Sequence, residues 1–288
     1  MNKFLRHIKL ELHNVKADFC FKKNHAELYR LIRSNCKLRN LYSGQRCFII
    51  GTGPSINEQD LGLLENEFVI TVNQFPRNKQ FERVKTNCHV WADSLFFHLN
   101  QSDNPEDAEL LSVMKMVSRY SSPLVFYEAE GYEFVNSAFP KPLQNIRFFL
   151  QNRQKDYQDK QMFDLTKGIP HFSTVIHSAI CIALYLGFSE IYLLGCDCTG
   201  LVNIIETRSA KRSSNIQYSY EITPNEFNRI IKNTEKRKVK DEIYAQYIML
   251  EDYECLYHYC ADMDVVLANA TRGGILDGIP RVNFEDLF

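Results

Sequence analysis

Four short segments carry the residues able to do chemistry. CFIIGTGPS (Cys47 to Ser55) is an apolar run that breaks into a tight glycine turn; FVITVNQF (Phe68 to Phe75) and WADSLFF (Trp91 to Phe97) end in polar side chains; LLGCD closes at Asp197. Each reads as a strand whose carboxyl end opens toward a ligand. Gly51 and Gly53 let backbone pass close to a phosphate or ribose where a Cβ would clash. A helix predicted to open near Ile56 would turn its N–H groups toward the anion. Gly51, Thr52, Gly53, Pro54 and Ser55 are therefore the expected nucleotide floor. No Lys-Ser/Thr follows the turn, and no third glycine completes G-x-G-x-x-G, which argues against a P-loop NTPase and an ordinary dehydrogenase. A glycine turn after a strand is also often only a turn.

The polar residues admit two readings each. Asn73 and Gln74 offer donors and acceptors to a base or sugar, or are plain loop residues. Asp93 binds a hydroxyl or acts as a base. Ser173 and Thr174 open a buried helix and suit an N-cap as well as a ligand contact. Asp197 reaches a ribose or amine, or caps the next turn. His171 directly precedes this helix start and is a candidate base, although a lone histidine there is commonly structural. Cys196-x-Cys198 has no second pair at ligand spacing, so no metal site is expected. The nine cysteines form no C-x-x-C pair and read as reduced thiols of a cytoplasmic protein.

Positioning these residues requires an alternating α/β chain. Strands are predicted at 46–51, 68–73, 88–92, 124–127, 190–194 and 264–268, with helices at 107–119, 175–186 and 241–259. That order implies a Rossmann-like, mostly parallel sheet with helices on both faces. Residues 131–168 read as irregular. The segment about 199–240, leaving the GCD strand and ending in IIKNTEKRKVK, is either a lid over the site or a solvated, partly disordered loop.

Residues 1–45 hold ten Lys/Arg against Glu11, Asp18 and Glu27, although the whole chain is near neutral at −1. Leu5, Ile8, Leu12, Val15 and Phe19 recur at helical spacing within this basic arm. Such a helix lies on an anionic membrane face, or packs on the 46–288 domain or a second subunit. No apolar run is long enough to span a bilayer, no signal segment is apparent, and nucleic acid is not an expected partner.

GTGPS with VNQF resembles the paired I-x-G-N-G-P-S and N-Q-F motifs of bacterial lipooligosaccharide sialyltransferases. WADSLFF resembles their N-P-S-L-F-F segment, with Asp93 in place of Asn, and Thr52 stands where they carry Asn. Ser173 to Asp197 is similar to their T-S-G-V … Y-L-S-G-I-D stretch, and LANATRGGILDGIPRVNFEDLF looks like the ending of the broader pterin-pyrophosphokinase-like group. The resemblance implies an inverting, metal-independent transfer of an acidic sugar from a CMP-activated donor, with no separate cofactor. Its acceptor would be a glycan or lipid-linked intermediate of bacterial surface polysaccharide. It also implies that lid tyrosines, here Tyr218 and Tyr220, donate to the departing phosphate. The lid histidine that serves those enzymes as base is missing, since no histidine lies between His177 and His258. Asp93, His171 or a lid group would replace it. Pyrophosphoryl transfer to a hydroxymethylpterin and a non-catalytic nucleotide-binding scaffold are the rival readings.

Overall fold

The computed structural model describes residues 3–99, 105–118, 123–139, 145–157, 159, 161–208 and 216–288, with the backbone alone for 3–9 and 11. Two helices, α1 (Lys3–Asn24) and α2 (Ala26–Arg33), precede the sheet. Then follow β1 (Arg46–Ile50), β2 (Phe68–Val72), β3 (Thr86–Trp91), α3 (Pro105–Ser118), β4 (Leu124–Glu128), α4 (Tyr132–Ala138) and β5 (Ile146–Phe149). A two-stranded pair, β6 (Gln151–Arg153) and β7 (Ile169–Pro170), leads into α5 (Val175–Leu186) and β8 (Glu190–Leu194). The chain ends through α6 (Gly200–Arg208), α7 (Pro224–Glu235), α8 (Val239–Ala261) and β9 (Val266–Asn269).

The main sheet has seven strands in the order β5-β4-β3-β2-β1-β8-β9, and every pairing is parallel. This is the Rossmann-like α/β architecture read from the sequence. Both faces are covered, which is why β1 reads as a continuous apolar run rather than an alternating one. Cys47 and Ile49 face α5 and α8, whereas Phe48 and Ile50 face Ile56, Leu61, Leu64 and the C-terminal Phe284. α3 and α4 cover the β3–β5 end of that second face.

Three expectations are corrected. No α-helix opens near Ile56: Pro54–Glu58 and Leu61–Leu64 are 3₁₀ turns. The short β1–β2 link is closed by its own turn bonds and by Asp60, which accepts from the Gly62 amide. Residues 131–168 carry α4 and β5 to β7 rather than irregular chain, although 140–144 lie outside the described residues. The segment expected as lid or loop carries α6 and α7, with 209–215 outside the described residues, and is called the lid below for its place beside the cleft. Its helices were obscured because they bury few side chains: Ile204, Thr207, Glu226 and Ile231. Arg119, at the expected end of α3, also lies outside the described residues.

The arm is docked through α2. Leu28 and Ile32 are buried with Trp91, Phe96 and Tyr127, each such burial being worth about 1.5–3 kcal/mol. Asn35 donates to the carbonyls of Phe148 (2.8 Å) and Leu165 (3.2 Å). α1 is held by Asp18, 3.1 Å from Arg153, while Leu12, Val15 and Phe19 stay exposed.

Candidate functional site

Strand order reverses between β1 and β8, where a doubly wound sheet ordinarily receives its ligand. Here the two strand ends close on each other. The Gly51 amide donates to Leu194 O (2.8 Å) and the Gly53 amide to Gly195 O (2.9 Å). A Cβ on Gly51 would lie 2.6 Å from Gly195 O; one on Gly53 would lie 1.7 Å from Asp197 Oδ2. Gly53 has φ −67°, so it is required by close approach and not by left-handed backbone. Ser55 donates to Asp197 through both its amide (3.2 Å) and its hydroxyl (2.9 Å). Burial raises the Asp197 pKa against the pull of these bonds. The expected floor is thus an internal joint: Gly51, Gly53, Ser55 and Asp197 line no part of the cleft described next. Pro54 borders a separate hollow behind the lid with Asn57 and Phe227.

The cleft lies over the carboxyl ends of β2, β3 and β4. It has a larger lobe of about 960 Å³ and a smaller one of about 360 Å³, and Asn73, Asp93 and Arg237 line both. Asn73 takes left-handed backbone, φ +42°, directly after β2, and its side-chain oxygen is buried without a hydrogen-bond partner. Asp93 follows β3, is exposed, and accepts the Leu95 amide at 2.9 Å, which fixes its carboxylate in a turn.

The smaller lobe is walled by the lid. Thr52, Asn73, Gln74, Tyr218 and Tyr220 meet there with Glu226 and Arg229. The two tyrosine rings stack, centroids 5.4 Å apart at 11°. Tyr220 donates to Glu226 Oε1 (3.0 Å) and accepts from Gln74 Nε2 (3.0 Å), which also donates to Glu226 (2.9 Å). Arg77 pairs with Glu226 and donates to Gln74 Oε1, its guanidinium 4.4 Å from the Tyr220 ring centre. Gln74 is therefore spent on holding α7, with no free amide face for a sugar or base. Thr223 caps α7 by accepting the Glu226 amide, and this aims Glu226 back at β2. Burial raises the pKa of Tyr218 and Tyr220, which keeps both hydroxyls protonated as donors.

In the larger lobe stand His171, Ser173 and Thr174 at the head of α5, beside Glu128, Gln151 and Ser178. His171 and Ser173 are exposed. Thr174 is the helix cap, accepting the Ile176 amide, so its capping role is realised. Phe21, His25 and Leu28 of the arm complete the wall.

Sequence reasoning missed Glu128, the last residue of β4. Its carboxylate accepts the amides of Glu130 (2.6 Å) and Gln151 (3.2 Å), and burial raises its pKa. A carboxylate ending an apolar run is the same signal that marked Asp93 and Asp197. Arg77, Glu226 and Arg229 gave no signal, because their meeting depends on the packing of α7 against the end of β2. Of the lysines and arginines in the basic run, Arg237 alone lines the cleft. Cys196 is buried and Cys198 half-buried, both as free thiols.

Among solved structures, the chain is similar to the MAf glycosyltransferase of Magnetospirillum magneticum AMB-1, with 14% identity, a TM-score of 0.48 and 91% of this chain covered. The chain spans 39% of that enzyme's length. The sialyltransferase CstII of Campylobacter jejuni with cytidine-5'-monophosphate shows 19% identity and a TM-score of 0.45 over 84% of this chain and 88% of its own. CstII with trisaccharide acceptor and CMP gives 16% identity and 0.47 over 83% and 86%. No curated protein matches in sequence. The 6-hydroxymethylpterin diphosphokinase MptE-like family model matches residues 19–201, well over half of the chain, and the protein belongs to that family.

Proposed function

We propose that the protein is a glycosyltransferase that moves an acidic sugar of the sialic-acid or another nonulosonate type from a CMP-activated donor. The acceptor is a hydroxyl of a glycan or lipid-linked intermediate of bacterial surface polysaccharide. The observation that carries this reading is that Asn73, Asp93 and Arg237 belong to both lobes. A reacting carbon placed between the lobes has a fixed carboxylate on one side and an anion-accepting wall on the other. Arg229, Arg237 and Tyr218 supply that wall in the smaller lobe, where charge develops on the leaving phosphate. Charge here comes from side chains, so the step is written without a metal.

Asp93 takes the proton of the acceptor hydroxyl as it attacks the anomeric carbon from the larger lobe. The bond to the phosphate breaks on the opposite side, and the configuration inverts. Asn73, which borders both lobes, holds a donor or acceptor hydroxyl through its side-chain amide. His171 and Ser173, at the rim, orient the acceptor. Exposed Leu12, Val15 and Phe19 on the basic α1 support a reading in which this arm rests on the inner face of an anionic membrane.

The family name favours a second reading, pyrophosphoryl transfer to a hydroxymethylpterin, in which Asp93 and Glu128 would serve a divalent ion bridging phosphates. Melting shifts with CMP, ATP and a hydroxymethylpterin, each with and without magnesium, decide between the two. A ligand at a hundred times its Kd adds about 2.7 kcal/mol. A shift with CMP in EDTA supports sugar transfer; a shift only with ATP and magnesium replaces it with the second reading.

A further inference from the structure

We propose that the outer face of the lid, α6 with the first turns of α8, is a docking surface for an anionic lipid bilayer. Four large apolar side chains are bare there: Ile205 at 69% exposure, Ile243 at 51%, Tyr244 at 64% and Tyr247 at 56%. Ile243, Tyr244 and Tyr247 fall on one stripe of α8 at helical spacing. The helix enters the core only further on, at Tyr253 and Leu256. The Tyr244 and Tyr247 rings lie flat to each other, centroids 6.3 Å apart.

The basic run is divided by direction. Arg237 turns to the cleft and pairs with Glu242 at 3.3 Å, whereas Lys236, Lys238 and Lys240 are exposed. Lys240 is three residues before Ile243 on the same stripe. Lysines flanking a patch of isoleucine and tyrosine match a lipid surface, where phosphates meet the cations, acyl chains meet isoleucine, and tyrosine sits at the boundary. The position adds a consequence. Arg237 borders the larger lobe together with Phe21, His25 and Leu28 of the arm, so lid and arm share one lobe. A bilayer touching both presents that lobe to molecules held in its surface. This consequence rests on the larger lobe being the acceptor lobe; the docking does not.

The test is co-sedimentation of the full chain with phosphatidylcholine vesicles with and without phosphatidylglycerol. Two lid variants are compared with the parent: Ile243→Ser/Tyr244→Ser/Tyr247→Ser and Lys236→Ser/Lys238→Ser/Lys240→Ser. Each should lose roughly tenfold or more of its partition onto the anionic vesicles, with unchanged far-UV circular dichroism and an unchanged CMP melting shift. Parent-like vesicle binding by both variants overturns the proposal. So does failure of the parent to bind while the apolar variant turns a dimer into a monomer, since the face then belongs to a second copy. If the parent gives no CMP shift, the donor reading fails, and the vesicle comparison still stands by itself.

Discussion

The strand ends of β1 and β8 and those of β2 and β3 sit on the same edge of one sheet, yet they do opposite work. At the β1–β8 joint the groups are paired inside the chain, the glycine amides with Leu194 and Gly195 and Ser55 with Asp197. At the β2–β3 ends Asn73 carries an unpaired buried oxygen and Asp93 an exposed carboxylate. The glycine-rich turn is packed as a joint, and the cleft opens instead over the ends of β2, β3 and β4. Glycine permits close approach whatever the neighbour is. The motif therefore cannot say whether that neighbour is a ligand or another loop.

The largest effect that tests this contrast is Gly53→Val. With a Cβ 1.7 Å from a buried carboxylate oxygen, the variant should lose about 3 kcal/mol or more in urea unfolding. A stable Gly53→Val that binds no CMP would return the turn to the role of nucleotide floor. Next is Asp93→Asn. Asparagine keeps the acceptor for the Leu95 amide, so melting should hold while kcat falls about 10²–10⁴-fold. His171→Asn should act chiefly on the acceptor KM. A kcat loss at His171 with none at Asp93 would exchange their roles.

Breaking the lid anchor comes third. Glu226→Ala strips Arg77 and Arg229 of a buried partner and should cost about 3 kcal/mol, concentrated in α7. Amide exchange would detect it as faster opening of Pro224–Glu235, with β1 and β8 still protected. Uniform loss of protection would mean that lid and sheet unfold as one unit.

A smaller effect follows from pH. Burial lowers the His89 pKa to about 3, and burial lowers that of His177 well below its usual value. Both are neutral in the fold, whereas the unfolded chain takes up their protons below about pH 6.5, so stability falls as pH falls through that value. The slope is at most about 1.4 kcal/mol per pH unit for each group. Urea midpoints between pH 7.5 and 5.5 should show it, and His177→Phe should flatten it. The smallest effect is expected at Lys236, Lys238 and Lys240. Serine there should leave transfer to a soluble acceptor unchanged, while Arg237→Ala slows it; equal slowing by both would put the whole run at the phosphate.

Much of the fold was legible because parallel strands buried on both faces must be apolar throughout, and β1, β2, α5 and β8 are. The lid helices were not, since α7 buries Glu226 and Ile231 along an otherwise polar face. Asp93, Asn73, Tyr218, Tyr220 and His171, named from strand ends and resemblance, all line the cleft. The pairing of Gln74 with Glu226 and the place of Glu128 in the cleft were not legible, because the partners of a buried polar side chain lie far off in the chain.

The sequence by itself determined six of the seven parallel strands, the capped entry to α5 and the basic arm, all of which follow from local spacing and apolar content; β5 was read as irregular chain. The tertiary structure alone decided which strand ends stay open. Segments 142 residues apart meet at Ser55 and Asp197, and a turn and a helix 152 residues apart meet at Gln74 and Glu226. Whether a polar group faces a ligand or a neighbouring loop depends on such contacts, and no local pattern encodes them.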